Sequence, residues 1–377
     1  MAAAVAATLL CPGTSARIKV ACIGNSITYG FTLADPAAES YPTRLQELLG
    51  DNYEVGNFGL SRATMLRKGH YPYVNFPQWQ QAKQFAPDIV IIHLGVNDTD
   101  PRNWPNYADE FIPDYRAMID TLRTINPDVR ILLSRLTPLT ASHRRFETGT
   151  RDWRLDINRA IEQVALGAGA EVIDLGRELL DRQNLLPDAI HPNAEGARLM
   201  ARHAAGAVTG NWGGLRLPGI YADSMVMQRD RPLRIAGRAD AGETVTLTLD
   251  GHRYHTRADH LGDWSVLTAP LATGGPYEMT VETPSRRLTF KDILAGEVWI
   301  ASGQSNMEFP LASETGGDPV VYTDPQLRFY HLRPDAVTDN SVWSDSLRAR
   351  VDSLAYYRPT RWAKVSPANA PRLSAVA

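Results

Sequence analysis

From residue 17 onward, short apolar runs alternate with stretches in which apolar residues return every three or four positions. The runs 18–23, 53–58, 89–94, 129–133 and 172–175 have the length and composition of strands. Phe111, Tyr115, Met118, Ile119, Leu122 and Ile125 share one face of a predicted helix, and a last helix is predicted after Asn193, burying Leu199, Met200 and Ala204. The alternation continues to about residue 208 and predicts an α/β fold with a parallel sheet covered on both faces. Such sheets bind ligands beyond the carboxyl ends of their strands, where the crossing loops converge. Ser26, Gly59 and Asn97 each fall just past such an end.

The pattern changes near Asn211-Trp212-Gly213-Gly214. Alternating runs at 232–236, 244–249, 264–267 and 277–282, separated by Asp250-Gly251, Leu261-Gly262-Asp263 and Gly274-Gly275-Pro276, predict a small β-sandwich. A third stretch opens with Val298-Trp299-Ile300, a predicted strand running into Gly303-Gln304-Ser305, and its α/β pattern does not go on to close a domain. The expected division is 17–212, 213–292 and 293–377. A chain of 377 residues exceeds the roughly 100–200 residues of one domain.

Composition narrows the function classes. With 44% hydrophobic and 21% charged residues the chain reads as soluble and globular. A net charge of −3, without long runs of one sign, offers no field for nucleic acid or an anionic membrane surface, and no apolar run is long enough to span a bilayer. Two cysteines, Cys11 and Cys22, speak against a disulfide framework and a cysteine zinc site. Residues 1–16 are rich in Ala and Leu and end in Thr14-Ser15-Ala16, as a signal-peptidase site requires, but carry no Lys or Arg ahead of the apolar part. The expected location is periplasmic or secreted.

Acyl transfer by serine needs a base, a group that orients the base, and donors aimed at the oxyanion. In Ile23-Gly24-Asn25-Ser26, Ser26 follows a strand and reads equally as nucleophile or helix cap. Asp188-Ala189-Ile190-His191 sets a carboxylate one turn before a histidine, or is a turn ahead of the Asn193 helix. Asn97 can donate its amide to an oxyanion, and Gly59 can bring a bare backbone N–H to the same oxygen; both residue types also simply turn the chain.

In order and placement, Ser26, Gly59, Asn97 and His191 resemble the four sequence blocks of the SGNH (GDSL-type) hydrolase family, with Asp188 as the usual carboxylate. The resemblance implies a flavodoxin-like parallel sheet and makes Ser26, Asp188 and His191 the catalytic residues. Asn25 stands where the family has the Asp of Gly-Asp-Ser, and Thr28 replaces the last glycine of the Gly-x-Ser-x-Gly elbow, which disfavours an α/β-hydrolase. Ala222-Asp223-Ser224-Met225-Val226-Met227-Gln228-Arg229, Gly262-Asp263-Trp264 and the run from Gly296-Glu297-Val298-Trp299 to Asn306-Met307 extend the likeness. They resemble the N-terminal part of the two-catalytic-domain sialate O-acetylesterases, which implies a jelly-roll-like β-domain and the start of a second SGNH domain. Ser305 would be that domain's nucleophile, and since its partners are not found downstream, the second site is expected to be truncated and inert.

The resulting expectation is a serine esterase that removes O-acetyl groups from carbohydrates, needing no metal and no organic cofactor. The oxyanion would be held by the N–H groups of Ser26 and Gly59 and by Asn97. Candidate substrate contacts are Arg62 and Trp104, within a wider set of aromatic (Tyr29, Tyr73, Trp79) and basic (Lys68, His70) residues that read equally as packing and solvated charge. His93 reads as buried structure. His252 and His255 fall on opposite faces of a strand, so with His260 they predict no metal site. Still open are an acetylated plant polysaccharide such as xylan or xyloglucan as substrate, a lipid esterase or thioesterase, and a non-catalytic glycan-binding chain. Oligomeric state is not legible.

Overall fold

The computed structural model describes residues 16–139, 152–180, 182–314, 324–332, 344, 347 and 360–376. The leader-like residues 1–15 lie outside the described residues. The chain divides into two compact units, Met1–Val208 and Thr209–Ala377.

The first unit alternates strands β1 (Ile18–Gly24), β2 (Tyr53–Gly59), β3 (Ile89–His93), β4 (Arg130–Ser134) and β5 (Glu171–Ile173) with helices α1 (Ser26–Tyr29), α2 (Pro36–Glu39), α3 (Tyr41–Leu49), α4 (Pro77–Phe85), α5 (Phe111–Ile125), α6 (Trp153–Ala168) and α7 (Ala194–Thr209). All strand pairs are parallel, in the order β2-β1-β3-β4-β5. Strands covered on both faces must be apolar throughout. Accordingly every residue of β3 is buried, as is β1 from Val20 to Gly24. The helices cover the sheet with narrower stripes: α5 buries Phe111, Tyr115, Met118, Ile119 and Leu122, and α7 buries Leu199, Met200 and Ala204 among others.

Local chemistry sets the helix ends. Proline in the first turn of α2, α3 and α4 sits where a missing N–H is harmless. Asn193 caps α7, its Oδ1 accepting the Gly196 N–H at 2.9 Å. Reversal of strand order between β1 and β3 opens a crevice above their carboxyl ends.

The second unit is built from strands. Strands β6 (Val226–Gln228), β8 (Thr244–Leu249), β9 (His252–Arg257), β11 (Gly274–Glu282) and β12 (Arg287–Gly296) form one sheet, in the order β6-β12-β11-β8-β9; β7 (Arg234–Arg238) pairs with β10 (Asp263–Leu267). The two sheets share one apolar core, with Ile235 and Trp264 from the pair and Val245, Leu247, Met279, Val281 and Ile293 from the five strands. Asp250 and Gly251, both at positive φ, make the tight β8–β9 hairpin. A short pair, β13 (Arg328–Tyr330) with β14 (Trp362–Lys364), follows.

Three sequence expectations change here. Gly274-Gly275-Pro276 is the irregular start of β11 rather than a turn before it. Strand β12 went unpredicted. Val298–Ile300 is not a strand: Trp299 and Ile300 are 86% and 93% exposed, because no neighbouring strand among the described residues pairs with this run. No helix among the described residues is long and apolar enough to cross a membrane.

Candidate active site

Strand β1 ends at Gly24, and the chain turns directly into α1. Asn25, fully buried, caps that helix by accepting the Ile27 N–H on Oδ1 at 2.9 Å. Its Nδ2 has no partner among the described residues, so an aspartate would supply the same acceptor without a stranded donor. Since Asn25 does the capping, the Ser26 hydroxyl is available for another bond. It meets His191 Nε2 at 2.8 Å. The Ser26 N–H, in the first turn where no intrahelical acceptor exists, has no protein partner among the described residues.

His191 is oriented by its own loop. Asp188 Oδ1 accepts the backbone N–H of Ile190 (3.1 Å) and of His191 (2.7 Å), while Oδ2 lies 2.6 Å from His191 Nδ1. Ala189 adopts positive φ to close this turn. Partial burial works to raise the Asp188 pKa, but the bonds from the His191 N–H and ring and from the Ile190 N–H outweigh it and hold the carboxyl below its ordinary value. Asp188 therefore stays ionised at neutral pH and fixes the tautomer with the proton on Nδ1, leaving Nε2 as acceptor for the serine hydroxyl. Phe31, two residues beyond α1, meets the His191 ring edge-on at 5.0 Å between centroids.

Two further loops close around Ser26. Gly59 ends β2 so close to α1 that a Cβ there would lie 2.1 Å from Tyr29 N. Its N–H, expected to face the oxyanion, donates to Asn57 Oδ1 at 3.0 Å. What glycine demonstrably supplies is room. Asn97 Nδ2 donates to Ala63 O at 3.0 Å, which fixes the direction of the amide. The next residue, Asp98, is fully buried and accepts the N–H groups of Met65 and Leu66, both at 2.9 Å, locking the loop after β2 to the loop after β3. Asn103 adds a second tie, donating to Asn97 O and accepting the His70 N–H, each at 2.9 Å. Phe31, Asn57, Asp98 and Asn103 carry no functional signal in the sequence beyond the position of Asp98 next to Asn97.

Most of the other candidates lie elsewhere or are already engaged. Tyr73, Trp79 and Trp104 are buried in packing: Tyr73 donates its hydroxyl to Phe58 O, and Trp104 lies edge-on to Phe111. Of the four proposed platform aromatics only Tyr29 is exposed. Arg62 is exposed, with its guanidinium 5.4 Å over the Tyr71 ring, and Lys68 pairs with Glu110 at 2.6 Å. His93 is fully buried at the end of β3; burial lowers its pKa to about 4, and Nε2 accepts the Thr137 N–H. In the second unit Ser305 opens an exposed 3-10 turn, and no base among the described residues bonds its hydroxyl. His252 and His255 contact Asp250 O and Thr246 Oγ1 respectively, and the described residues hold no group of three or more His, Cys, Asp or Glu placed to bind a metal.

A serine bonded to a histidine that a partly buried carboxylate orients is an arrangement able to activate a hydroxyl for acyl transfer. Residues 22–199, which carry this geometry, match the GDSL-like Lipase/Acylhydrolase family. This stretch is similar to that family, without spanning half of the chain. Among similar proteins, an acetylxylan esterase of Xylanibacter ruminicola is 40% identical over 212 residues, covering 51% of this chain and 43% of that esterase. The sialate O-acetylesterase of Rattus norvegicus is 33% identical over 125 residues, 29% of this chain and 23% of the enzyme. The chain thus spans less than half the length of these curated relatives. A solved carbohydrate acetylesterase from Xanthomonas citri is 32% identical with a TM-score of 0.34, covering 43% of this chain and 35% of its own. In the first unit, Ser26, Gly59, Asn97, Asp188 and His191 are gathered at one end of the sheet by the ends of β1, β2 and β3 and the loop before α7.

Proposed function

We propose that the first unit hydrolyses O-acetyl esters of carbohydrates by serine acyl transfer. The observation that carries this reading is the unbroken chain Asp188–His191–Ser26, with contacts of 2.6 and 2.8 Å. His191 Nε2 takes the hydroxyl proton as Ser26 Oγ bonds to the acetyl carbonyl carbon. Charge then collects on the carbonyl oxygen, where the Ser26 N–H and the Asn97 amide donate. The Gly59 N–H becomes a third donor when the oxyanion, a charged and therefore stronger acceptor, displaces Asn57 Oδ1. As the ester C–O bond breaks, the proton on Nε2 passes to the departing sugar oxygen, leaving acetyl-Ser26. Water repeats the sequence, its proton going to His191 and its oxygen to acetate. Asp188 holds the imidazolium in each half.

Acetylated xylan is the substrate best supported, since the likeness to the acetylxylan esterase is both longer and higher in identity than that to the sialate O-acetylesterase. A polymeric substrate also fits a periplasmic or secreted location. The two sheets of the second unit, with their shared core, read as a small jelly-roll-like β-sandwich that accompanies this activity, and Ser305 takes no part in it. Acetate release from acetylated xylan, O-acetyl sialosides and methyl acetate tests the proposal. Ser26→Ala is expected to lower release by about 10⁴-fold or more. Wild-type release by that variant would overturn the mechanism, and glycan binding without turnover by the native chain would favour a binding role.

A further inference from the structure

We propose that Phe31 forms a leaving-group subsite that receives the sugar ring of the departing alcohol; the proposal rests on the esterase reading above. Gly30, at φ 94°, turns the chain sharply after α1, and the Phe31 N–H is tied to Ser26 O at 2.9 Å. The ring is therefore placed by the same backbone that places the nucleophile. One edge of it meets His191 at 5.0 Å between centroids with planes inclined by 62°, and yet Phe31 is 50% exposed. A core aromatic would be covered; this one keeps half its surface in water beside the imidazole.

Chemistry dictates what comes to that place. The ester oxygen that leaves must lie within hydrogen-bond reach of His191 Nε2 to be protonated, so the carbon skeleton attached to it is confined to the space around the imidazole. Pyranose rings present C–H faces that pack on aromatic faces, and among the described residues Phe31 is the aromatic in ring contact with this histidine. Tyr73, Trp79 and Trp104 are buried and offer no such face. Tyr29, the other exposed aromatic among the described residues of the first unit, belongs to α1, whose backbone abuts Gly59, and has no ring contact with His191 among the described residues. The ligand class is a cyclic sugar alcohol esterified at the reacting oxygen, held at the ring rather than at the acetyl group.

Steady-state kinetics of Phe31→Ala and Phe31→Trp on an acetylated xylo-oligosaccharide and on methyl acetate, whose alcohol has no ring, test the subsite. Phe31→Ala is expected to raise KM for the sugar ester roughly three- to tenfold more than KM for methyl acetate, with the ratio of kcat between the two esters little changed. Phe31→Trp is expected to restore the sugar-ester KM. Equal losses on both esters, or a displaced pH–rate profile, would show that Phe31 positions the imidazole and takes no sugar. An unchanged sugar-ester KM in an active Phe31→Ala enzyme would overturn the subsite alone, whereas a wild type that releases acetate from neither ester would overturn the esterase reading and the subsite with it.

Discussion

Replacing Gly59 by alanine tests how rigidly the fold holds Ser26, the proposed nucleophile. The added Cβ would lie 2.1 Å from Tyr29 N, 2.6 Å from Tyr29 Cα and 2.7 Å from Thr28 C. These are backbone atoms of α1, which cannot rotate aside as a side chain can. Reaching an ordinary contact near 3.4 Å requires a displacement on the order of 1.3 Å of either β2 or α1. Strand β2 is held in register against β1 along its whole length, with Gly24 opposite Gly59, so α1 is the element that gives way. Ser26 is its first residue, and movement on that scale breaks the 2.8 Å contact to His191. Misplacement of a reacting group by about 1 Å can lower turnover by about 10²-fold. The overpacking itself costs about 3 kcal/mol, which for a unit of this size lowers Tm by about 6–12 °C. Thermal unfolding by circular dichroism and acetate-release kinetics on the same preparation measure both. Gly296→Ala, whose Cβ would meet only Val226 Cγ1 at 3.6 Å, is the control expected to be neutral. A Gly59→Ala protein with wild-type Tm and wild-type turnover would refute the reasoning, since the contact could then yield without moving Ser26.

Two other outcomes follow from buried groups. Asp98→Asn keeps one oxygen acceptor but points an NH₂ at the second of the Met65 and Leu66 N–H groups, so a loss of about 2–3 kcal/mol is expected as a lower urea midpoint at constant m; an unchanged midpoint would mean that the carboxylate does not hold these loops. His93, with its pKa at about 4 against an ordinary 6.5, leaves stability untouched above pH 6.5 and lowers it as pH falls towards 4, because only the unfolded chain takes up the proton in that window. The loss reaches about 3 kcal/mol, and His93→Gln is expected to flatten this acid limb in urea titrations at pH 7 and 4.5; superimposable curves for the two proteins would contradict it.

The α/β layering was legible because β1 from Val20 to Ile23 and β3 from Ile89 to Ile92 are unbroken apolar runs and α5 keeps an unbroken buried stripe. Strand ends moved by a residue or two, as hydrogen bonding rather than hydropathy sets them. In the second unit, the predicted 244–249 strand is β8 residue for residue, whereas β12 escaped notice because Arg287, Thr289 and Lys291 alternate with Leu288 and Phe290 amid charges that resemble a loop. Val298–Ile300 failed for the opposite reason: apolar residues promise a strand only when a neighbour exists to pair with them. At the site, residue types that carry chemistry stood out, but their supports did not. Nothing in the sequence places Asn57 against the Gly59 N–H, Asp98 against two backbone N–H groups 32 and 33 positions away, or Phe31 against His191, because these are consequences of how loops fold over the sheet.

The hydroxyl of Ser26 and the imidazole of His191 are 165 residues apart in the chain. During synthesis Ser26 leaves the ribosome long before His191 exists, and every strand of the parallel sheet must be threaded into place before the two can meet. Long-range closure of this kind is slow compared with the formation of local helices. An emerging or half-folded chain consequently carries an ordinary serine, and under the proposed mechanism the onset of acetate release in a refolding experiment marks the docking of the last loop, making that release a clock for completion of the fold.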